Sequence, residues 1–327
     1  MGLSHAYGPA TEKSAAIRLI RDAFDAGYDF FDTAEVYTGH YADGSLSVNE
    51  EIAGATLRPI REKVIIATKG GIRLGENLTV TGNGAPEAFR KSLEQSLKRL
   101  GVETIDLYYQ HRPDPAVSPE IVAETMKEFI KEGKIRFWGV SNCPREYIRR
   151  ANAVCPMAAI QLRYSMLARW NEAFFPLLEE LNIGFVAYSP LANGFLTVDG
   201  KSERKYAGNG DFRSVMAQYS PESQKKGTVL LDLINRLATE KNATPAQISL
   251  AWVLAQKQYI VPIPGSSKKE RIDENAAAYF NEKEVGNAVK DSGLPREEIF
   301  ITSKLWIQDY GYDEAKKGIE ASLANLD

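Results

Sequence analysis

The chain has 327 residues with a formal net charge of −3, and 44% of them are hydrophobic and 25% charged. This composition supports a large core and gives no basic surface, so we expect no nucleic-acid partner. No apolar run approaches the roughly 20 residues that cross a bilayer, the amino terminus lacks a signal-peptide pattern, and the two cysteines have neither metal-ligand nor disulfide spacing. We therefore predict a cytoplasmic protein with no membrane partner and no metal site, whose oligomeric state the sequence does not indicate.

In chain order, short apolar runs alternate with segments of helical periodicity. The apolar runs cover residues 30–31, 64–68, 105–110, 137–140, 158–160, 185–187 and 260–263. The predicted helices cover residues 15–26, 86–100, 120–132, 171–181, 229–240 and 245–255, while residues 192–223 show no sustained period. Alternation of this kind is typical of a parallel sheet with crossover helices. We predict an α/β fold, a (β/α)8 TIM barrel, with residues 192–223 as a long loop over the substrate.

The two ends of the chain depart from a complete barrel. Only seven strand candidates precede residue 276, whereas the barrel needs eight, so the opening strand is expected to be missing. Residues 296–304 repeat the pattern of residues 61–69, and we interpret residues 276–327 as a partial second copy behind a barrel at residues 1–275. One hypothesis is that a strand at 299–304 fills the vacant barrel position, and the alternative is a loosely docked tail.

Four polar residues follow the first three strand candidates. Asp32 ends the first apolar run, Tyr37 lies on the loop after it, and Lys69 and His111 end the next two runs. The carboxyl ends of barrel strands share one rim, so these side chains are expected to meet. An ammonium near a phenol lowers the phenol pKa, so Lys69, held by Asp32, would prepare Tyr37 for acid catalysis while His111 orients a carbonyl oxygen. Taken singly, each residue also fits a structural role as a cap, an edge residue or a packed ring.

Over residues 1–275 the chain resembles the aldo-keto reductase family. The motifs that carry the resemblance are Asp32-Thr33-Ala34 with Tyr37, Thr68-Lys69, Gln110-His111, Gly139-Val140-Ser141-Asn142, Gln161, Tyr188-Ser189-Pro190-Leu191 and residues 264–275. The resemblance implies a (β/α)8 barrel that binds NADPH without a Rossmann fold, with Tyr37 as the proton donor. It also implies that the family's N-terminal hairpin and most of its first strand are missing here, and that the partial copy at 276–327 lacks a catalytic set.

The same resemblance implies the residues that bind the cofactor. It implies that Ser141, Asn142 and Gln161 bind the carboxamide and that Tyr188 stacks on the nicotinamide. It also implies further cofactor contacts from Ser189 and Leu191. It implies that Ser266, Lys268 and Arg271 bind the 2′-phosphate and that Glu274 and Asn275 lie near the adenine. Two cations and a hydroxyl around a dianionic phosphate favour NADPH over NADH. Without the resemblance, residues 268–271 fit the solvated first turn of a helix equally well.

The expected function is the NADPH-dependent reduction of a small carbonyl substrate, an aldehyde or a ketone, to an alcohol. An alternative from another class is a nucleotide-binding regulatory subunit of the same shape with little or no turnover. A third possibility is a barrel isomerase or lyase in which Lys69 forms a Schiff base, but the paired Tyr37 and the phosphate-binding segment argue against it. The sequence does not indicate the physiological substrate.

Overall fold

The computed structural model describes residues 2–74, 80–198, 206 and 211–277. The strands are β1 (Phe30–Asp32), β2 (Thr38–His40), β3 (Leu46–Val48), β4 (Ile65–Gly70), β5 (Ile72–Leu74), β6 (Val80–Gly82), β7 (Ile105–Gln110), β8 (Ile135–Ser141), β9 (Ala159–Arg163), β10 (Gly184–Tyr188) and β11 (Ile260–Ile263). The α-helices are α1 (Lys13–Asp25), α2 (Asn49–Leu57), α3 (Pro86–Leu100), α4 (Pro119–Lys131), α5 (Arg145–Val154), α6 (Phe175–Leu181), α7 (Pro221–Glu240), α8 (Pro245–Gln256) and α9 (Lys269–Ala277).

Seven of these strands form one sheet in the order β1-β4-β7-β8-β9-β10-β11. Each strand is parallel to its neighbours, and at least one α-helix lies between successive strands along the chain. The antiparallel hairpins β2–β3 and β5–β6 follow the carboxyl ends of β1 and β4. This is the predicted (β/α)8 barrel architecture, with the predicted strands in the predicted order.

The eighth barrel position is not occupied by any strand of the described residues, where β1 and β11 each pair on one side only. The strand hypothesised at 299–304 lies outside the described residues. The division into units at 1–275 and 276–327 also depends on residues outside them, and it stays a prediction.

Four helices lie within two residues of their predicted bounds, namely α1, α3, α4 and α8. Their starts follow local chemistry. Thr244 and Gln247 form a reciprocal capping box at α8, and the Ser118 hydroxyl accepts from the Ile121 N–H at α4. Both pairs satisfy backbone donors that a helix leaves unpaired at its first turn.

The prediction was wrong at four other places. Helix α7 begins at Pro221 instead of residue 229, because its first two turns are polar and hide the period. Helix α2 was missed because it buries residues all around its axis, so no apolar stripe marks it. The helix predicted at 171–181 is a 3-10 segment, Trp170–Phe174, followed by the short α6, and the short α5 was not predicted.

The sheet separates two apolar layers. Side chains on its outer face, among them Ile66, Tyr108, Trp138 and Phe185, are buried against the helices. The inner face carries a smaller cluster made of Ala67, Leu107, Tyr109, Ala159 and Val186. Because alternate residues of a strand share a face, Lys69 lies on the inner face with Ala67. The fold therefore directs the predicted catalytic lysine into the barrel.

Candidate active site

A buried ion pair joins the first two strands of the sheet. Asp32 is the last residue of β1, and Lys69 lies near the end of β4 with no exposed surface. The Lys69 ammonium pairs with the Asp32 carboxylate and donates a hydrogen bond of 2.7 Å to the Thr33 carbonyl oxygen. Burial lowers the pKa of Lys69, but the Asp32 carboxylate and the Tyr37 phenol outweigh burial and raise this pKa above its ordinary value. Lys69 is therefore a cation at neutral pH.

The loop between β1 and β2 brings Tyr37 to this cation. The Lys69 Nζ lies 5.0 Å from the centroid of the Tyr37 ring. Burial raises the pKa of Tyr37 above its ordinary value, while the charge of Lys69 opposes the rise and that of Asp32 adds to it. The prediction that Lys69 brings the phenol pKa below its ordinary value was therefore wrong. The lost hydration of a buried phenolate outweighs the attraction of the ammonium.

His111 faces the same phenol from the end of β7. Its backbone N–H donates to the Gly70 carbonyl oxygen at 3.0 Å, and its ring meets the Tyr37 ring edge-on, with centroids 5.8 Å apart. Burial holds the pKa of His111 well below its ordinary value, and the charges of Lys69 and Arg112 act in the same direction. His111 is therefore neutral at physiological pH. Its buried Nδ1 has no hydrogen-bond partner in the described chain.

Asp32 has a second partner across the barrel. The Gln161 Nε2 donates a hydrogen bond of 2.8 Å to the Asp32 Oδ2, whereas Lys69 contacts the Oδ1. The resemblance placed Gln161 on the cofactor carboxamide and gave no sign of this contact. Both oxygens of the carboxylate are thus held, so Asp32 can fix the position of Lys69.

The predicted carboxamide and stacking residues lie together at the ends of β8, β9 and β10. The Asn142 Nδ2 donates to the Ser141 Oγ at 2.7 Å, and the Tyr188 hydroxyl donates to the Asn142 Oδ1 at 3.1 Å. Ser141 pairs in register with Gln161 on the adjacent strand. The structure therefore brings these four residues to the end of the sheet that holds Asp32.

Ser189 and Leu191 lie on the tight turn after β10. Ser189 has a positive φ of 52°, and the Ala192 N–H donates to its carbonyl oxygen at 2.9 Å. The Leu191 carbonyl oxygen accepts from the Gly194 N–H at 3.0 Å. The turn fixes both residues directly beyond Tyr188, where the resemblance expects cofactor contacts.

The remaining predicted cofactor residues surround the start of α9. The Ser266 Oγ accepts from the Lys268 N–H at 3.1 Å, and the side chains of Lys268 and Arg271 are exposed. The Glu274 carbonyl oxygen accepts from Gln247 at 3.1 Å, and Asn275 is buried. Within the described residues neither Lys268 nor Arg271 meets a carboxylate, whereas Lys269 pairs with Asp273 at 3.0 Å. Two cations beside a hydroxyl are thus available to an anion.

Sequence reasoning missed a histidine at this site. The His5 ring stacks on the Tyr37 ring, with centroids 6.2 Å apart and planes 11° from parallel. The His5 Nδ1 lies 3.1 Å from the Thr38 carbonyl oxygen. His5 is one of only three histidines in the chain, and that rarity was the available signal. His5 lies in the loop that precedes α1, outside every predicted strand, so the sequence pattern did not place it at the rim of the barrel.

The described residues offer neither a metal-ion cluster nor a helix that could span a membrane. In the ranges described above, no three His, Cys, Asp or Glu side chains form a group suited to a metal ion. None of the helices in those ranges combines the length and apolar character needed to span a membrane.

The barrel, and a tyrosine, lysine, aspartate and histidine gathered at the end of its sheet, agree with one known family. Residues 1–280 match the aldo/keto reductase family. The chain belongs to this family, and it is therefore an oxidoreductase of carbonyl compounds.

Individual relatives give the same assignment. A protein of Glycine max named "Probable aldo-keto reductase 1" is 38% identical over 302 residues, which cover 92% of this chain and 82% of the relative. A glycerol dehydrogenase from Gluconobacter oxydans has a TM-score of 0.71 at 29% identity, with 88% of each chain covered. An aldo/keto reductase from Klebsiella pneumoniae, in complex with NADP and acetate, has a TM-score of 0.62 at 26% identity, with 85% of this chain and 84% of that one covered. The predicted family and barrel fold are confirmed.

Proposed function

We propose that the protein reduces aldehydes or ketones to alcohols with NADPH, and that Tyr37 is the proton donor. The observation that carries this proposal is the fully buried Lys69, held by Asp32 and Thr33 and facing the Tyr37 ring. Taking an ammonium out of water is costly unless it is paired. An ammonium beside the Tyr37 phenol would stabilise the phenolate that forms during turnover, and this accounts for the position of Lys69.

The carboxyl ends of β8 to β11 fit a phosphorylated dinucleotide. Ser141 and Asn142 present a hydroxyl and an amide that would hold a carboxamide, and Tyr188 offers a ring that would stack on the nicotinamide. Lys268 and Arg271, which meet no carboxylate of the described chain, would bind the 2′-phosphate with Ser266. The remaining predicted contacts are Gln161, Ser189, Leu191, Glu274 and Asn275. Relatives from Klebsiella pneumoniae in complex with NADP and with NADPH support this choice of cofactor. The cofactor would supply the hydride.

The proton transfer follows from the protonation states of the site. Burial keeps the Tyr37 phenol protonated at neutral pH, so its proton is available to a carbonyl oxygen that gains negative charge. After the transfer the phenolate faces the Lys69 ammonium, which stabilises it. Asp32 keeps that ammonium in position, and Gln161 holds the other oxygen of Asp32.

His111 would orient the carbonyl group. Its neutral ring carries one N–H donor, and it packs edge-on against Tyr37 with the ring centroids 5.8 Å apart, so one substrate oxygen would bind both side chains. Because burial and the nearby cations keep the ring neutral, His111 donates a hydrogen bond without competing with Tyr37 as the proton donor.

The test follows NADPH absorbance with an electron-poor aromatic aldehyde, comparing the native chain with Tyr37→Phe. We expect the substitution to lower kcat by about 10²- to 10⁴-fold, the contribution of a positioned proton donor. The matched control is Tyr259→Phe, because the Tyr259 hydroxyl donates to Glu179 at 3.0 Å away from the site. The control is expected to keep native activity.

Two outcomes would contradict the proposal. Native activity in Tyr37→Phe would show that another group donates the proton. NADPH binding without turnover by the native chain would instead support the regulatory-subunit alternative.

A further inference from the structure

The side chain of Arg163 places a cation on the inner face of the sheet. It lies nearer to the carboxyl ends of the strands than the proposed catalytic residues do. It is the last residue of β9 and pairs in register with Tyr188 of β10. Because alternate residues of a strand share a face, Arg163 is on the same face as Gln161, whose side chain contacts Asp32. The side chain of Arg163 therefore stands beside the ring expected to stack on the cofactor.

No carboxylate of the described residues balances this charge. The Arg163 Nε is buried and has no hydrogen-bond partner there, and the Nη2 donates only to the neutral Asn193 Oδ1, at 3.1 Å. Every other partly buried arginine in that part of the chain meets a carboxylate. The pairs are Arg61 with Asp106, Arg90 with Glu132, Arg99 with Glu50, and Arg213 with Asp211. Arg163 is thus the one partly buried arginine of the described residues that meets no carboxylate.

The surrounding residues hold Arg163 in position without neutralising it. Asn193, which accepts the one side-chain hydrogen bond of Arg163 within the described residues, also donates to the Tyr7 hydroxyl at 2.8 Å and accepts from the Gln218 Nε2 at 3.3 Å. A guanidinium has five N–H donors, and this contact uses one of them. A partly desolvated cation with unused donors is costly unless an anion binds to it.

We propose that Arg163 is an anion-binding residue that takes a phosphate or carboxylate group of a molecule bound at the rim. This inference rests on the proposed function for the nature of that molecule. The anionic group has two possible sources, the diphosphate of the cofactor or an acidic group on the carbonyl substrate. Both offer the oxygen pair that a guanidinium binds with two parallel hydrogen bonds.

The experiment compares the native chain with Arg163→Met and Arg163→Lys, using Arg149→Met as the matched control because Arg149 pairs with Glu180 on the surface. The dissociation constant of NADPH is measured by fluorescence, and KM is measured for 4-carboxybenzaldehyde and for its neutral methyl ester. A charge-assisted hydrogen bond corresponds to about a tenfold or larger loss of affinity in Arg163→Met. Arg163→Lys should recover part of that loss.

The pattern of the losses identifies the source of the anion. If the cofactor supplies it, Arg163→Met weakens NADPH binding and leaves the KM ratio of the two aldehydes unchanged. If the substrate supplies it, NADPH binding is unchanged and KM rises for the carboxylate alone. Unchanged NADPH binding together with an unchanged KM ratio would overturn the proposal, and so would losses equal to those of Arg149→Met.

A further readout separates this proposal from the proposed function. Inorganic pyrophosphate is expected to raise the melting temperature of the native chain more than that of Arg163→Met, whether or not the chain turns over an aldehyde, because both proteins keep the exposed cations Lys268 and Arg271. Without ligand, Arg163→Met should melt at or above the native temperature, because it removes an unbalanced charge. A lower melting temperature with no pyrophosphate effect in the native chain would mean that Arg163 is structural.

Discussion

Gln161 donates a 2.8 Å hydrogen bond to Asp32 across 129 positions of sequence and from the opposite side of the barrel. Its partner carboxylate holds Lys69 with the other oxygen. Lys69, the proposed catalytic lysine, is therefore positioned by an aspartate that is itself positioned by an amide. This chain of contacts makes Gln161 part of the structure of the site as well as an expected cofactor ligand.

Replacing Gln161 by methionine should lower the free energy of unfolding by about 1.5–3 kcal/mol, because a charged acceptor loses its buried donor. Urea denaturation measures the loss. The control is Gln256→Met, whose amide bonds only the Trp252 carbonyl oxygen within its own helix in the described structure. It should change stability by less than about 0.5 kcal/mol. Equal effects of the two substitutions would contradict a special role for the Asp32 contact.

The Lys69–Asp32 pair should show strong coupling. Lys69→Met alone leaves a carboxylate in a buried site without its cation, which costs about 3–5 kcal/mol. The double variant Lys69→Met with Asp32→Asn removes both charges, and we expect it to be more stable than Lys69→Met. A double-mutant cycle by chemical denaturation gives the coupling. Strictly additive effects would show that the two charges do not depend on each other.

His111 should make the protein less stable in mild acid. Its pKa in the folded chain is depressed by burial, so the unfolded chain binds the proton more readily. The stabilisation is present above the unfolded pKa of about 6.5 and is lost as the pH falls toward the folded pKa. Melting temperatures from neutral to mildly acidic pH test this. His111→Gln should flatten the dependence, and a dependence as steep as that of the native chain would contradict this origin.

Close packing inside the barrel should make any larger residue at position 139 lower the stability of the fold. A Cβ at this position would overlap the Ala159 carbonyl oxygen and lie 3.0 Å from the Tyr109 ring. Gly139→Ala should therefore destabilise the fold by about 1–3 kcal/mol. At Gly265 a Cβ would meet nothing within 4 Å, so Gly265→Ala is the matched control and should melt as the native chain does. Similar melting temperatures for both variants would contradict the packing argument.

The sequence allowed the prediction of every strand of the parallel sheet, because each is a short apolar run between helical segments. It also indicated Asp32, Tyr37, Lys69 and His111 as neighbours, since strand ends share a rim. Helix α2 escaped because it lacks an amphipathic stripe, and the polar start of α7 hid its first turns.

Features that depend on tertiary contacts could not be predicted in this way. The balance between burial and the charge of Lys69 decides the pKa of Tyr37, and burial is a property of the folded chain. That Arg163 meets no carboxylate of the described residues is visible only once the neighbours of all the partly buried arginines there are known. The stacking of His5 on Tyr37 likewise requires the path of a loop without regular structure.

The strands of the sheet pair in the order in which the ribosome synthesises them. Because β1 and β4 are neighbours, a nascent chain can bring Lys69 to Asp32 soon after β4 emerges. The amide of Gln161 is translated only several elements later, on β9. Only a chain that has added β9 can hold both oxygens of Asp32 with side-chain donors.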